Sequence, residues 1–427
     1  MSEGSVFCNF EVTAESHTLE AYRARGGYQA LRTALTTLQP KDVEREVTLS
    51  GLRGRGGANF PVGAKWSFVN KASPVVYLCC NADEGEPGTF KDRWILEHSP
   101  HQLIEGILLG AYALGARHAF VYIRGEFDLP LRRLRGALEE ARNAGLVGAR
   151  IPDTAFSCDI VVHRGAGAYV CGEESSLINS LEGRKGYPRN KPPFPAIKGL
   201  YGAPTVVNNV ETLASVPWIV AKGGAAYAAI GNQSNPGWRL FGISGHVNKP
   251  GVYERPTGYP MKKIIFDDGG GILGGKPLKA VIPGGSSTPV LTAAEIDRIT
   301  LDAPSLQQAG SMLGSGGIIV IAEGTCMVRV LHVLTRFYSH ESCGQCAPCR
   351  EGTPWMNSIV ERIVAGRGEP ADLENLQRIP EGILGNTLCA LGDAAAMPVL
   401  SFVKKFRPEF EYFVAHGRSL HDGRLEA

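Results

Sequence analysis

The chain has 427 residues, 44% hydrophobic and 20% charged, with a formal charge of +2, a balance that excludes collagen-like, low-complexity and wholly disordered proteins. So small a net charge, with basic pairs no longer than Arg132-Arg133 and Lys404-Lys405, gives no electrostatic footprint for nucleic acid. The length exceeds one ordinary core and implies two or three domains.

Along the chain, the first feature is the loop Gly51-Leu-Arg-Gly-Arg-Gly-Gly-Ala-Asn-Phe-Pro-Val-Gly-Ala-Lys-Trp66. It is rich enough in glycine to wrap a phosphate with backbone N–H groups, and Lys65 adds charge. It fails as a dinucleotide fingerprint, because the third glycine of that pattern falls at Asn59 and no clear strand precedes it. A tight surface turn is the alternative.

From about 74 to 165, short β-rich runs alternate with amphipathic helices, the pattern of a doubly wound, mainly parallel sheet. Strands are expected at 75–80, 118–123 and 158–163. At the carboxyl end of the first lies Asn81-Ala-Asp-Glu-Gly-Glu-Pro-Gly88, where open α/β sheets bind ligands. Its carboxylates suit ribityl or ribose hydroxyls and would repel a 2′-phosphate; a solvated acidic turn explains them equally well. Ser99 and Pro100 start a helix whose apolar positions 103, 104, 107, 108, 111 and 112 face the sheet. Glu105 interrupts this run, which is well short of the ~20 apolar residues of a membrane span. A second helix over 131–144 points Arg132, Arg133, Glu139, Glu140 and Arg142 toward water.

A further glycine loop, Gly165-Ala-Gly-Ala-Tyr-Val-Cys-Gly-Glu-Glu174, follows the third strand and leads into Ser175-Ser-Leu-Ile-Asn-Ser180, whose helix N-terminus would point N–H groups at a ligand. Asn190-Lys-Pro-Pro-Phe-Pro195 and Val206-Val-Asn-Asn-Val-Glu-Thr212 place a lysine, a ring and paired amides in stiff surroundings. Residues alone leave a polar loop and a ring-gripping site both open. Composition shifts near 223–236, a linker. Beyond it come strands at 239–244 and 278–282 and a short helix near 261–266, a small α+β domain, then helices at 328–338, 354–365, 372–378 and 394–406. The expected domains are 1–235, 236–325 and 326–427.

Cys343, Cys346 and Cys349, with Cys389 forty positions on, form a triplet plus one distant partner, the spacing of a [4Fe–4S] cube. Structural zinc prefers two separated pairs. A disulfide framework needs an oxidising compartment, and Met-Ser-Glu-Gly opens with no cleavable leader. The other cysteines, Cys8, Cys79, Cys80, Cys158, Cys171 and Cys326, read as small buried hydrophobes.

Together, GRGGANFPVGAKW, NADEGEPGTFKDR, GAGAYVCGEESSL, KPPFPA, GLYGAPTVVNNVETL, ESCGQCAPCREGT and TLCALGD resemble the NADH-binding flavoprotein subunit of respiratory NADH:quinone oxidoreductase, complex I, in order and over nearly the whole chain. The resemblance implies a Rossmann-like α/β flavin and NADH domain, a small ubiquitin-like α+β domain and a C-terminal helical bundle with an iron–sulfur cluster. It implies FMN held by Gly54, Arg55, Gly56, Gly57, Lys65, Asn81, Asp83, Glu84, Gly172, Glu173, Glu174, Asn208, Asn209 and Thr212. It places the adenine and ribose of NADH against Phe60, Phe68, Glu86, Lys191 and Phe194, with Tyr169 and Glu174 close to the nicotinamide, makes Glu86, Glu174 and Tyr169 the catalytic residues, and puts a [4Fe–4S] cluster on Cys343, Cys346, Cys349 and Cys389. Hydride then passes from NADH to the flavin and electrons leave singly for the cluster, with no general base.

Asn59, where the family usually has glycine, and Asn190, where it often has leucine, depart from the pattern; Asn tolerates unusual backbone angles, so the loop at Asn59 is expected to persist. The implied partners are a thioredoxin-like [2Fe–2S] subunit and the large iron–sulfur subunit of the peripheral arm. No nucleic acid and no direct membrane insertion are expected, and the location is the inner face of the cell membrane, or the matrix side in a eukaryote. The same module occurs in NAD-reducing hydrogenases and NAD-linked formate dehydrogenases, usually fused to further N-terminal segments; about 50 residues before the first glycine loop favour the complex I form. A silent scaffold that has lost its flavin is opposed by the intact loops.

Overall fold

The structure, a computed structural model, describes residues 5–148, 151 and 154–422. It divides into two compact units, one made of Met1–Gly85, Phe90–Phe241 and Val252–Tyr259, the other of Glu86–Thr89, Gly242–Gly251 and Pro260–Ala427.

In the first unit, β1 (Tyr77–Ala82), β2 (His118–Ile123), β3 (Asp159–Arg164) and β4 (Thr205–Asn209) form a parallel sheet of order β3-β2-β1-β4. Three of these strands lie within two residues of where alternation put them. β4 is the strand that local pattern did not disclose, because its run Thr-Val-Val-Asn-Asn ends in two asparagines, residues depleted in strands. Its pairing with β1, Cys79 opposite Val207 and Cys80 opposite Asn208, overrides that preference and places both asparagines at the carboxyl edge of the sheet.

The helix Pro100–Leu114 is buried at every position but Tyr112. Glu105, which interrupts its apolar run, is itself 1% exposed. Its carboxylate accepts from the Tyr22 hydroxyl and from the backbone N–H groups of Tyr28 (2.9 Å) and Leu31 (2.9 Å). Burial raises its pKa, and these donors oppose the rise. The apparent flaw in the apolar stripe is thus the anchor for the N-terminal helices Leu19–Ala24 and Gln29–Thr37. In the helix Asp128–Asn143, the Glu140 side chain stays partly exposed, in line with the outward-facing reading, and also meets neighbouring elements. It accepts from the Leu19 N–H (2.6 Å) and meets His101 Nε2 at 3.1 Å.

The second unit contains β9 (Gly317–Ala322), paired in parallel with Gly242–Gly245 of β5 (Trp238–Gly245) and antiparallel with β7 (Leu278–Ile282). Within this unit the sheet runs from Gly242–Gly245 of β5 through β9 and β7 to β8 (Leu291–Thr292). β9 was not foreseen; its apolar run Gly-Ile-Ile-Val-Ile-Ala has neither alternation nor helical spacing, as befits a central strand buried on both faces. The short helix expected near 261–266 is one α turn, Met261–Lys263, continuing as a π turn, Ile264–Asp268.

Among the described residues five helices follow: Met327–Glu341, Ala347–Val364, Pro370–Ile383, Leu391–Lys405 and Arg407–His416. The second begins seven residues before the expected start. Pro354 looks like a helix opener, yet it sits inside, and Pro348 occupies the first turn. That shift carries Cys349 into the helix.

Gly106, on Pro100–Leu114, faces the helix Val210–Ala214 so closely that an added Cβ would lie 2.0 Å from the Leu213 carbonyl oxygen. Gly106→Ala is expected to destabilise the first unit by about 1–3 kcal/mol through overpacking, read as a lowered thermal midpoint; an unchanged midpoint would contradict this helix crossing.

Candidate functional site

Four segments singled out in the sequence meet in the first unit at the carboxyl ends of β1 and β4, where open α/β sheets carry ligands. Asn81 donates from Nδ2 to the Gly172 carbonyl (2.8 Å), tying the acidic turn to the second glycine loop. The Arg55 N–H donates to Thr212 Oγ1 (2.9 Å), tying the first glycine loop to the segment after β4. Lys65 Nζ lies 2.7 Å from Glu174 Oε2 and joins the first loop to the second. An added Cβ on Gly56 would come within 3.2 Å of Asn209 Cβ, and one on Gly172 within 3.4 Å of the Asp83 carbonyl.

The first loop keeps an open face. Gly57 has φ +124° and nothing within 4 Å of the place where a Cβ would stand, so a ligand can approach its backbone closely, as only glycine allows. Asn59 adopts φ 53°, the left-handed conformation asparagine tolerates. A bare glycine backbone, the Lys65 ammonium and polar side chains at a strand terminus fit the phosphate and polyol of FMN.

Several expected ligands hold the scaffold with their side chains. Trp66, fully buried, donates from Nε1 to Asn208 Oδ1 (2.8 Å). Asn209 caps Val210–Ala214 by accepting from the Glu211 N–H, and donates to Asp92 Oδ2 (2.5 Å). The Arg55 guanidinium is buried and donates to Tyr227 Oη and to the carbonyls of Pro236 and Trp238. Glu173 caps the helix Glu174–Leu181 by accepting from the Ser175 and Ser176 N–H groups. Glu84 accepts from the N–H groups of Asp92 (2.8 Å) and Arg93 (3.0 Å) at the start of Lys91–His98. Burial and the neighbouring Asp92 push the Glu84 carboxyl up to about 8, against Lys91 and these N–H donors.

Sequence reading missed the buried ions behind these loops. Lys91 Nζ lies 2.8 Å from both Asp92 Oδ1 and Glu211 Oε2. All three stand inside the quoted motifs TFKDR and NNVETL, and a lysine next to motif carboxylates was the available signal.

Phe60, Phe68 and Phe194 are 47%, 56% and 57% exposed, and the first two rings are 6.3 Å apart, large apolar faces left to solvent beside the loops. Lys191 Nζ bridges Glu173 (2.9 Å) and Glu174 (3.1 Å). Burial would raise the Glu174 carboxyl, but Lys65 first and Lys191 second hold it below the ordinary range. Tyr169 lies against Gly85, where an added Cβ would be 3.1 Å from its ring. Glu86 belongs to the second unit, and its Oε1 accepts from the Ser287 N–H (2.7 Å) and the Ser286 hydroxyl (3.2 Å).

In the helical bundle, Cys343 lies in the loop after Met327–Glu341, Cys346 caps the next helix, Cys349 is in its first turn, and Cys389 precedes Leu391–Lys405. Ser342 Oγ is 3.3 Å from Cys349 Sγ. Burial raises the Cys349 thiol; the Ser342 contact lowers it, and Cys346 and Cys343 add to the rise. Among the described residues no three His, Cys, Asp or Glu side chains converge as a single ion would require; a cube's four thiolates bind four different irons and need no common centre. The donor set fits such a cluster. Of the other cysteines, all are buried except half-buried Cys8.

The family described as the Nuo51 FMN-binding domain matches residues 47–218. An SLBB domain matches 239–321, and the NADH-ubiquinone oxidoreductase-F iron-sulfur binding region matches 329–413. The second F subunit of the NADH-quinone oxidoreductase of Rhizobium meliloti is 53% identical over 403 residues, 94% of this chain and 95% of that protein. The chain belongs to the family of NADH-quinone oxidoreductase F subunits. The F subunit of Mycobacterium tuberculosis is 50% identical over 96% of this chain and 93% of its own length. A solved NAD+-reducing [NiFe]-hydrogenase in its H2-reduced state aligns with TM-score 0.81 and 39% identity, covering 90% of this chain and 66% of that one. As a family member the chain is an FMN-dependent NADH dehydrogenase subunit with a [4Fe–4S] region, and it works as part of a larger complex. No helix among the described residues is long and apolar enough to cross a membrane.

The raised Glu84 pKa carries a stability consequence. Between the ordinary carboxyl value of 4.5 and about 8 the folded chain keeps a proton that the unfolded chain has lost, so stability falls as pH rises through that window. Glu84→Gln is expected to flatten the slope by up to about 1.4 kcal/mol per pH unit, checked by denaturant unfolding across pH 5 to 8; an unchanged slope would refute the assignment.

Proposed function

We propose that the chain oxidises NADH at the loops after β1, β3 and β4 and delivers the electrons to the cysteine cluster for onward passage to quinone. The observation that carries this reading is the meeting of an open glycine loop, an acidic turn and a lysine-bridged carboxylate pair at the strand termini of one sheet. FMN, once bound, supplies the exchange between a hydride donor and a one-electron acceptor.

Gly54, Gly56, Gly57 and Lys65 bind its phosphate end, and Asn81, Asp83, Gly172 and Glu174 orient the remainder. The backbone around Arg55, Glu84, Glu173, Asn208, Asn209 and Thr212 supports them, since the side chains of these residues already serve the scaffold. Phe60, Phe68 and Phe194 stack on the nucleotide, Lys191 and Glu86 bind its polar groups, and Tyr169 and Glu174 border the nicotinamide. Cys343, Cys346, Cys349 and Cys389 hold the cluster. The chain divides functionally at 1–235, 236–325 and 326–427, a division supported by the three family matches.

Its partners are a thioredoxin-like [2Fe–2S] subunit and the large iron–sulfur subunit of a peripheral arm, on the inner face of the cell membrane or the matrix side in a eukaryote. The likeness to hydrogenase supports a second reading as the diaphorase subunit of a hydrogenase or formate dehydrogenase, and membrane subunits in the purified complex separate the two.

An anaerobic NADH titration tests the path. Flavin absorbance should bleach and a reduced [4Fe–4S] signal should appear in low-temperature electron paramagnetic resonance. Cys389→Ser should keep the bleaching and lose that signal along with most of the iron. A flavin-free protein that holds zinc in place of iron would refute the proposal.

A further inference from the structure

Glu86 sits in a clamp that the enzymatic reading leaves without a purpose. In the second unit the loop Gly284-Gly285-Ser286-Ser287-Thr288 closes over residues 86–89. The Ser286 N–H donates to the Pro87 carbonyl (3.0 Å), and the Gly285 N–H to the Gly317 carbonyl of β9 (2.6 Å). Gly285 has φ +98°, and an added Cβ there would lie 2.5 Å from Glu86 Cγ; the carboxylate arm and the loop backbone are in direct contact. An added Cβ on Gly88 would likewise come within 2.7 Å of Ile319.

The polar contacts run in one direction. Ser286 Oγ lies 3.2 Å from Glu86 Oε1 and 2.7 Å from the Tyr338 hydroxyl. A carboxylate only accepts, and a serine hydroxyl has one proton. Ser286 therefore donates to Glu86 and accepts from Tyr338, giving the relay Tyr338 O–H to Ser286 O–H to Glu86 carboxylate. Both hydroxyl-bearing residues are buried, at 0% and 1% exposure, where each bond in a chain polarises the next. The Ser287 N–H adds a third donor to the system, also on Oε1 (2.7 Å). Tyr338 itself is held by Met327–Glu341, the helix whose end leads through Ser342 into the cysteine triplet.

We propose that Ser286 and Tyr338 are positioning residues for the Glu86 carboxylate, and that this part of the SLBB domain serves to present Glu86 to the nicotinamide nucleotide. The inference rests on the reading of Glu86 as a nucleotide contact. It assigns a role in substrate binding to two residues that lie far along the chain from every glycine-loop motif.

The test is calorimetric titration of the purified holoprotein with NAD+, which binds the oxidised enzyme without reducing it and so reports affinity alone. Tyr338→Phe removes one hydroxyl and keeps the ring. It should weaken NAD+ by about three- to tenfold, the effect of one net hydrogen bond, with flavin content, iron content and the cluster's resonance spectrum unchanged. In a Glu86→Gln background the same substitution should add less than about twofold, because coupled residues are not additive.

Wild-type affinity in both Tyr338→Phe and Ser286→Ala, alongside weakened binding in Glu86→Gln, overturns the positioning role and leaves the Glu86 reading standing. Full additivity with Glu86→Gln also overturns it, since the hydroxyls then act elsewhere. Wild-type affinity in Glu86→Gln alone removes the nucleotide contact itself. Should Tyr338→Phe lose its cofactors, Ser286→Ala decides.

Discussion

A buried ammonium organises the flavin side of this molecule. Lys91, 1% exposed, sits 2.8 Å from carboxylate oxygens of both Asp92 and Glu211. Glu211 accepts in turn from the Leu240 N–H at the start of β5, and Asp92 accepts from Asn209 at the end of β4 and donates its N–H to Glu84 after β1. One cation thus ties together two strand termini, a helix start and the entry to the next sheet. Removing one member of such a buried pair leaves an uncompensated charge, at a cost of about 3–5 kcal/mol. Burial favours the neutral ammonium, but Asp92, Glu211 and Glu84 outweigh it and raise the Lys91 pKa.

That constraint explains why so many motif residues have two duties. Asn208, Asn209, Thr212, Glu84 and Glu173 all use their side chains to satisfy backbone N–H groups or neighbouring side chains. Buried polar groups must be satisfied locally, and a loop whose own donors and acceptors are paired presents its remaining backbone in one arrangement. A preorganised loop of this kind loses little conformational freedom when a ligand arrives. The open flank of Gly57 and the Glu174 carboxylate between Lys65 and Lys191 are what such a scaffold leaves available.

The second unit repeats the logic with neutral donors. Segment 86–89 is held by a backbone bond from Ser286 to Pro87 and by glycine contacts at Gly88 and Gly285, and the Glu86 carboxylate receives a hydroxyl relay from Tyr338. The small α+β domain, whose sheet alone suggests only packing, gains a reason to stand between the acidic turn and the cluster-bearing helices in the chain order.

Much of this was legible in the amino-acid order. The parallel strands β1 to β3, the helix at Pro100, the triplet of cysteines at helix ends and the glycine loops all announce themselves through local rules: alternation, capping, spacing and backbone freedom. β4 and β9 did not, because a paired strand buried by its neighbours needs no periodicity of its own. Glu105 read as a break in an apolar helix, and only the folding of Tyr22, Tyr28 and Leu31 onto it makes it an anchor. The sequence by itself determined which chemistry is possible here, since residue types and their spacing set what can be bound. Tertiary structure alone decided which of those polar groups hold the scaffold and which face a ligand. That division depends on contacts such as Tyr338 with Ser286 and Lys91 with Glu211, between residues 52 and 120 positions apart in the sequence, and no local pattern encodes a pairing at that range.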